Sequence, residues 1–172
     1  MKNRSPIYIT LTAVFAALYA VAVVFLAPIS FQIFQVRLAD ALLPLAILFG
    51  WPAVLGLALG AFVANFFGGL GPIDIIGGAI ANLIATLLAW KLVRLRPSKL
   101  FKLIGVGLEI LTVTTIVGSY LSYLFGMPLE AGLLGVFLGS LVAIGILGTI
   151  LLFAMSTPRI TAMLKSRGLI EN

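Results

Sequence analysis

The sequence predicts an all-α membrane protein, a single bundle of six transmembrane helices over residues 1–172. Three observations predict it. Apolar residues make up 62% of the chain and charged residues 9%, against about 25% charged in a soluble domain, so no water-soluble fold hides that surface. The apolar residues fall into runs near membrane-span length, separated by Gly and Pro breaks. The basic residues gather in three places that fit one face of a bilayer.

The first run, Ile7 to Ala27, follows Lys2 and Arg4 and has the length of one span. It exceeds the apolar core of a signal peptide, and the chain stays apolar after it. Ala13 and Ala17, and Ala16 and Ala20, are four residues apart, a spacing that lets a second helix approach closely. That helix can belong to this chain or to a partner. Pro28 ends the run, and Ile29–Val36 reads as a loop carrying Gln32 and Gln35. Leu38–Phe49 is too short to cross straight, so it is tilted, extended or partly re-entrant, with a kink at Pro44.

Gly50-Trp51-Pro52 makes a turn before the third segment, Ala53–Phe67, in which Gly56, Gly60 and Ala64 form a close-packing face. Gly68 to Pro72 is the next break. The fourth helix runs from Ile73 to Leu92, with Asp74, Gly78, Asn82 and Thr86 on one face and Gly77, Ala81, Ala85 and Ala89 on the next. Lys91 to Lys102 is a basic connector. The fifth helix is Leu103–Phe125, with Glu109, Thr112, Ile116, Ser119 and Tyr123 on one stripe. After Gly126-Met127-Pro128 comes the sixth, Ala131–Met155, with Gly135 and Gly139 in GxxxG spacing, and then a basic tail.

Six alternating segments with the N-terminus inside put ten of the eleven basic residues on the inner side, leaving only Arg37 outside. Five segments would put the basic tail outside. Both termini are therefore expected in the cytoplasm. Asp40, Asp74 and Glu130 then lie toward the outer side.

Polar groups within apolar spans are costly, so their positions carry the functional information. Asn65, Asp74 and Asn82 are expected to line an outward-facing cup, with Ser119, Tyr120 and Tyr123 from the fifth helix facing it. Carboxylates, amides and aromatic rings suit a flat, hydrogen-bonding solute. Each residue also has a structural reading. Asp74 can cap its helix. Asn82 can bond a neighbouring helix. Arg37 and Asp40, three apart, can pair. Glu109 can snorkel toward the inner basic surface, and Glu130 can be a solvated cap or close the site.

Absences narrow the function. The chain has no Cys and no His, which removes thiolate chemistry and the commonest general base. No P-loop pattern and no HExxH occurs, so neither ATP binding of that kind nor zinc hydrolysis is expected, and no cofactor or metal. No inverted repeat marks a stand-alone transporter of the repeat type, and no nucleic-acid motif is present.

Val36–Leu42 (VRLADAL), Ala64–Ile76 (ANFFGGLGPIDII) and Val117–Pro128 (VGSYLSYLFGMP) closely resemble the QueT family, substrate-binding S components of energy-coupling factor (ECF) transporters for queuosine precursors. The resemblance runs over nearly the whole chain. It implies a six-helix S component that captures a 7-deazaguanine-like solute from outside. Delivery inward would occur on an ECF transmembrane coupling subunit with two ATPase subunits. Arg37, Asp40, Asn65, Asp74, Asn82, Tyr120, Tyr123 and Glu130 are the expected solute residues. Ala13, Ala16, Ala17 and Ala20 resemble the small-residue docking face of S components. The chain departs from the family pattern in three places, one of them Asp40, which stands where the family usually has Glu and keeps the sign. The chain also lacks the carboxylate expected near Gly139-Ser140 and the helix-five amide expected at Val113. These departures bear on the solute. The alternatives are an S component for another flat, vitamin-like solute, a self-assembling structural membrane protein built on the GxxxG faces, and a membrane enzyme centred on Glu109.

Overall fold

Apolar runs of this length become helices because a bilayer offers backbone N–H and C=O groups no partner but each other. The computed structural model describes residues 5–26 and 37–170. Its helices are α1 (Ser5–Phe25), α2 (Leu38–Phe49), α3 (Trp51–Gly68), α4 (Pro72–Leu95), α5 (Lys99–Phe125), α6 (Leu129–Met155) and α7 (Pro158–Ser166). Among the described residues, five helices are long and apolar enough to cross a membrane: α1, α3, α4, α5 and α6. The Ile29–Val36 loop with Gln32 and Gln35, the Pro28 break and the basic pair Lys2 and Arg4 lie outside the described residues.

The breaks fall where Gly and Pro placed them. Gly69 and Gly71 take φ of +74° and +97°, backbone that side chains resist, and Pro72 follows as the first residue of α4. Helix starts differ from expectation by a few residues. α5 begins at Lys99, because Ser98 Oγ accepts the Phe101 amide at 3.2 Å and caps it. Part of the basic connector is therefore helical. The tail also folds, into the nine-residue α7, with Leu164 buried against the bundle.

Two elements depart from regular α geometry. α2 opens as a 3₁₀ stretch, Leu38–Leu45, and becomes α-helical only over Ala46–Phe49. Pro44 therefore sits within the 3₁₀ turn rather than kinking an α-helix. α6 contains a π stretch, Leu141–Gly148, between two α segments.

The long helices pack in the order α1–α3–α4–α5–α6, as a curved wall. The short α2 sits within that wall and touches all of them. Small residues set the closest crossings. A Cβ at Gly56 would lie 2.6 Å from Phe15 Cβ and Thr12 O, and one at Gly60 2.8 Å from Ala16 O and Tyr19 Cβ. The α1–α3 contact therefore needs hydrogen at both positions. Gly118 and Gly132 do the same where α5 meets α6, and a Cβ at Gly148 would meet Pro44 of α2 at 2.9 Å.

Candidate functional site

The polar residues of the spans converge inside the wall. At the N-terminus of α2, the Asp40 amide donates to Arg37 O at 2.9 Å, so both side chains leave one 3₁₀ turn. Both are buried. Tyr19, fully buried on α1, donates its hydroxyl to Asp40 Oδ1 at 2.5 Å. A second carboxylate–phenol pair lies at the start of α4, where Tyr120 of α5 donates to Asp74 Oδ1 at 2.9 Å. Arg37 attracts both carboxylates electrostatically.

Glycine again makes the room. A Cβ at Gly77 would stand 2.9 Å from the Tyr120 ring, and one at Gly78 would overlap Asn65 Nδ2. With hydrogen there, Tyr120 packs closely against α4 and Asn65 Nδ2 donates to Asp74 O at 2.8 Å. Asp74 is therefore not the cap of its helix. Gly71 holds the cap position, and the Asp74 side chain turns into the bundle. Asn82, two turns on, donates to Leu57 O of α3 at 3.4 Å, and Thr86 Oγ1 donates to Asn82 O at 2.6 Å. Arg37, Asp40, Asn82, Val113 and Ser140 share the lining of one small cavity of about 10 Å³, room for roughly one water.

Several acceptors in this region have no hydrogen-bond partner among the described residues: Asp74 Oδ2, Asn65 Oδ1 and both Glu109 carboxyl oxygens. A buried acceptor left unpaired costs about 1–3 kcal/mol, more when charged. Glu109 does not snorkel to the basic surface. It is fully buried, one turn of α5 from Val113, and close enough to Asp40 to feel its charge.

The structure thus brings together Arg37, Asp40, Asn65, Asp74, Asn82 and Tyr120. It leaves two expected residues apart: Tyr123 is 77% exposed, and Glu130 is exposed in the first turn of α6. Ser119 also faces outward, bonded to Thr115 O of its own helix. The buried stripe of α5 runs through Glu109, Val113, Val117 and Leu121, offset from the stripe expected through Thr112, Ile116, Ser119 and Tyr123. Tyr19 was not anticipated. The available signal was a phenol in the middle of an apolar span, which needs a buried acceptor.

The alanines of α1 also divide. Ala16 packs on Gly60, and Ala20 packs on the core, so that pair serves this chain's own contact. Ala13 and Ala17 are exposed.

The model of the QueT transporter family matches residues 9–157, which span α1 to α6. The chain belongs to the QueT transporter family. No curated protein and no solved structure matches it. As a QueT transporter it is a multi-pass membrane protein whose work is moving a small molecule, not catalysing its conversion. The match ends just before α7.

Proposed function

We propose that the chain is the substrate-binding S component of an ECF-type importer. It captures a 7-deazaguanine-like queuosine precursor from outside, at the end of the bundle where Asp74, Asn65 and Tyr120 meet. Both termini are cytoplasmic in this reading, with the basic connector on the same side. The observation that carries it is the pair of buried acceptors, Asp74 Oδ2 and Asn65 Oδ1, next to the Tyr120 ring and without a partner among the described residues. A deazaguanine offers N–H donors along its pyrimidine edge and a flat face for the ring. The cavity beside Arg37 is too small for a bicyclic base, so the proposed capture includes a widening of the bundle at that end. Release inward requires the coupling subunit and two ATPases, since this chain has no nucleotide-binding motif. The exposed Ala13–Ala17 stripe of α1 is the proposed docking face.

A second reading, an S component for another flat, vitamin-like solute, is favoured by one observation. Val113 and Ser140, two of the positions at which the chain departs from the family pattern, both line the cavity that holds Arg37 and Asp40. Thermal melting of the purified chain in detergent, against a panel of deazaguanines and vitamins, separates the two. A ligand at 100 times its dissociation constant adds about 2.7 kcal/mol. Selective stabilisation by a deazaguanine supports the first reading, and a vitamin that displaces it at lower concentration supports the second.

A further inference from the structure

The opposite end of the bundle holds a cavity that solute capture does not use. It encloses about 270 Å³ between the end of α2, the ends of α4 and α5, and α7. Its floor is Gly50, whose φ of +64° lets the backbone lie against the Trp90 ring. Three cations line it: Arg94, Lys102 and Lys165. The Arg94 guanidinium stacks 5.4 Å from the Trp90 ring centroid. Lys102 is half-buried and donates to Ser156 Oγ at 2.8 Å. Thr161 lines the α7 side, its hydroxyl donating to Thr157 O of its own helix at 2.9 Å. None of the lining residues is acidic. Glu171, adjacent in sequence to the lining residue Ile170, lies outside the described residues.

The depth of the cavity is marked by two tryptophans. Trp51 packs edge-on to Trp90 at 5.4 Å and is 44% exposed, the placement of an indole at the membrane–water boundary. A cationic recess at that depth meets the headgroup layer. Basic pockets between spanning helices bind anionic headgroups, with each cation contributing attraction to the phosphate. Arginine adds a planar fork of donors and lysine a compact charge.

We infer that this cavity, formed by Trp90, Arg94, Lys102, Thr161 and Lys165, is a binding site for the phosphate-bearing headgroup of an anionic phospholipid. α7 closes one side of it, which gives the helix beyond the family match a role.

The test uses the full chain, purified in a zwitterionic detergent. Phosphatidylglycerol, phosphatidylcholine and inorganic phosphate are added separately. Bound lipid is counted by native mass spectrometry, and stability is followed by thermal melting. Phosphatidylglycerol is expected to bind saturably and raise the melting temperature, and phosphatidylcholine to do neither. The double variant Arg94→Gln/Lys165→Gln should weaken phosphatidylglycerol binding about 25-fold, at roughly fivefold per cation removed. Both side chains are exposed at the rim, so the fold tolerates the change. The control Lys99→Gln/Arg159→Gln removes two charges from the same end outside the cavity and should retain binding. Equal binding of the two lipids, retention in the first variant, or equal loss in the control would overturn the inference. A stabilising effect of inorganic phosphate without one from phosphatidylglycerol would assign the cavity to a soluble phosphate and overturn the lipid assignment.

Discussion

Asp74 and Tyr120 form the contact on which the proposed capture turns. A hydrogen bond to a charged group contributes about 1.5–3 kcal/mol, so Asp74→Asn should weaken solute binding roughly 10- to 100-fold. Tyr120→Phe removes the hydroxyl but keeps the ring and should cost less. Titration of each variant with the solute that stabilises the parent chain checks both; undiminished affinity in Asp74→Asn would remove Asp74 from the site. Glu109 makes a different prediction. Its carboxyl is buried with neither oxygen partnered among the described residues, and replacing it by an apolar side chain of similar length relieves that cost. Glu109→Met should raise the stability of the solute-free chain by about 1–3 kcal/mol, read as a higher melting temperature. A lower one would mean that Glu109 is held by a favourable contact. Asp74, Asn65 and Asn82 were legible in the sequence because polar residues stand out against an apolar background. Tyr120 and Tyr123 were not separable, since three residues on a helix change the facing direction by about 60° and the sequence does not fix where the wall curves. Tyr19 was hidden because an aromatic residue in a span usually signals nothing but packing.

At the scale of elements, the spans were legible because membrane thickness fixes their length and Gly and Pro fix their ends. The π stretch of α6 and the 3₁₀ opening of α2 were not. The two stretches pack on each other, with Gly148 close against Pro44, and an apolar run carries no mark of its hydrogen-bond register. The tail looked like a charged extension because its buried residues are few. The glycines of α3 lead to a paired prediction. Gly56→Ala and Gly60→Ala should each destabilise by about 1–3 kcal/mol through overpacking. Only Gly60→Ala presses on Tyr19, whose hydroxyl bonds Asp40, so only it should also weaken solute binding. Melting curves and binding titrations of both variants check this; parallel loss of binding in Gly56→Ala would mean that α1 moves as a rigid body.

At the scale of the whole molecule, the two proposals assign the acceptor-rich end to solute and the basic end to headgroups, and α1 is the least enclosed of the long helices. Of its alanines, Ala16 and Ala20 are committed to internal packing, which leaves Ala13 and Ala17 for a partner. Ala17→Trp should abolish co-purification with the coupling subunit while leaving solute binding within about twofold of the parent, since an exposed surface position carries little folding energy. Assembly that survives both Ala13→Trp and Ala17→Trp would move docking to another helix.

The short α2 has a consequence for biosynthesis. About 20 apolar residues are needed for a stretch to partition into a bilayer by itself, and Leu38–Phe49 falls well short. Its polar start and 3₁₀ backbone make lipid a poor surrounding. The helix it touches most is α6, which is the last long helix to leave the ribosome. The nascent chain therefore holds α2 against only part of its surroundings, Tyr19 of α1 among them, until α6 arrives, and the cavity beside Arg37 is completed when α6 brings Val136 and Ser140. The chain has no cysteine, so a single reporter at the buried position 43 reads this directly. In a Leu43→Cys chain arrested at Pro128, a water-soluble maleimide should label the thiol, and in the full chain it should not. Equal protection in both would mean that the earlier helices alone hold α2 in place.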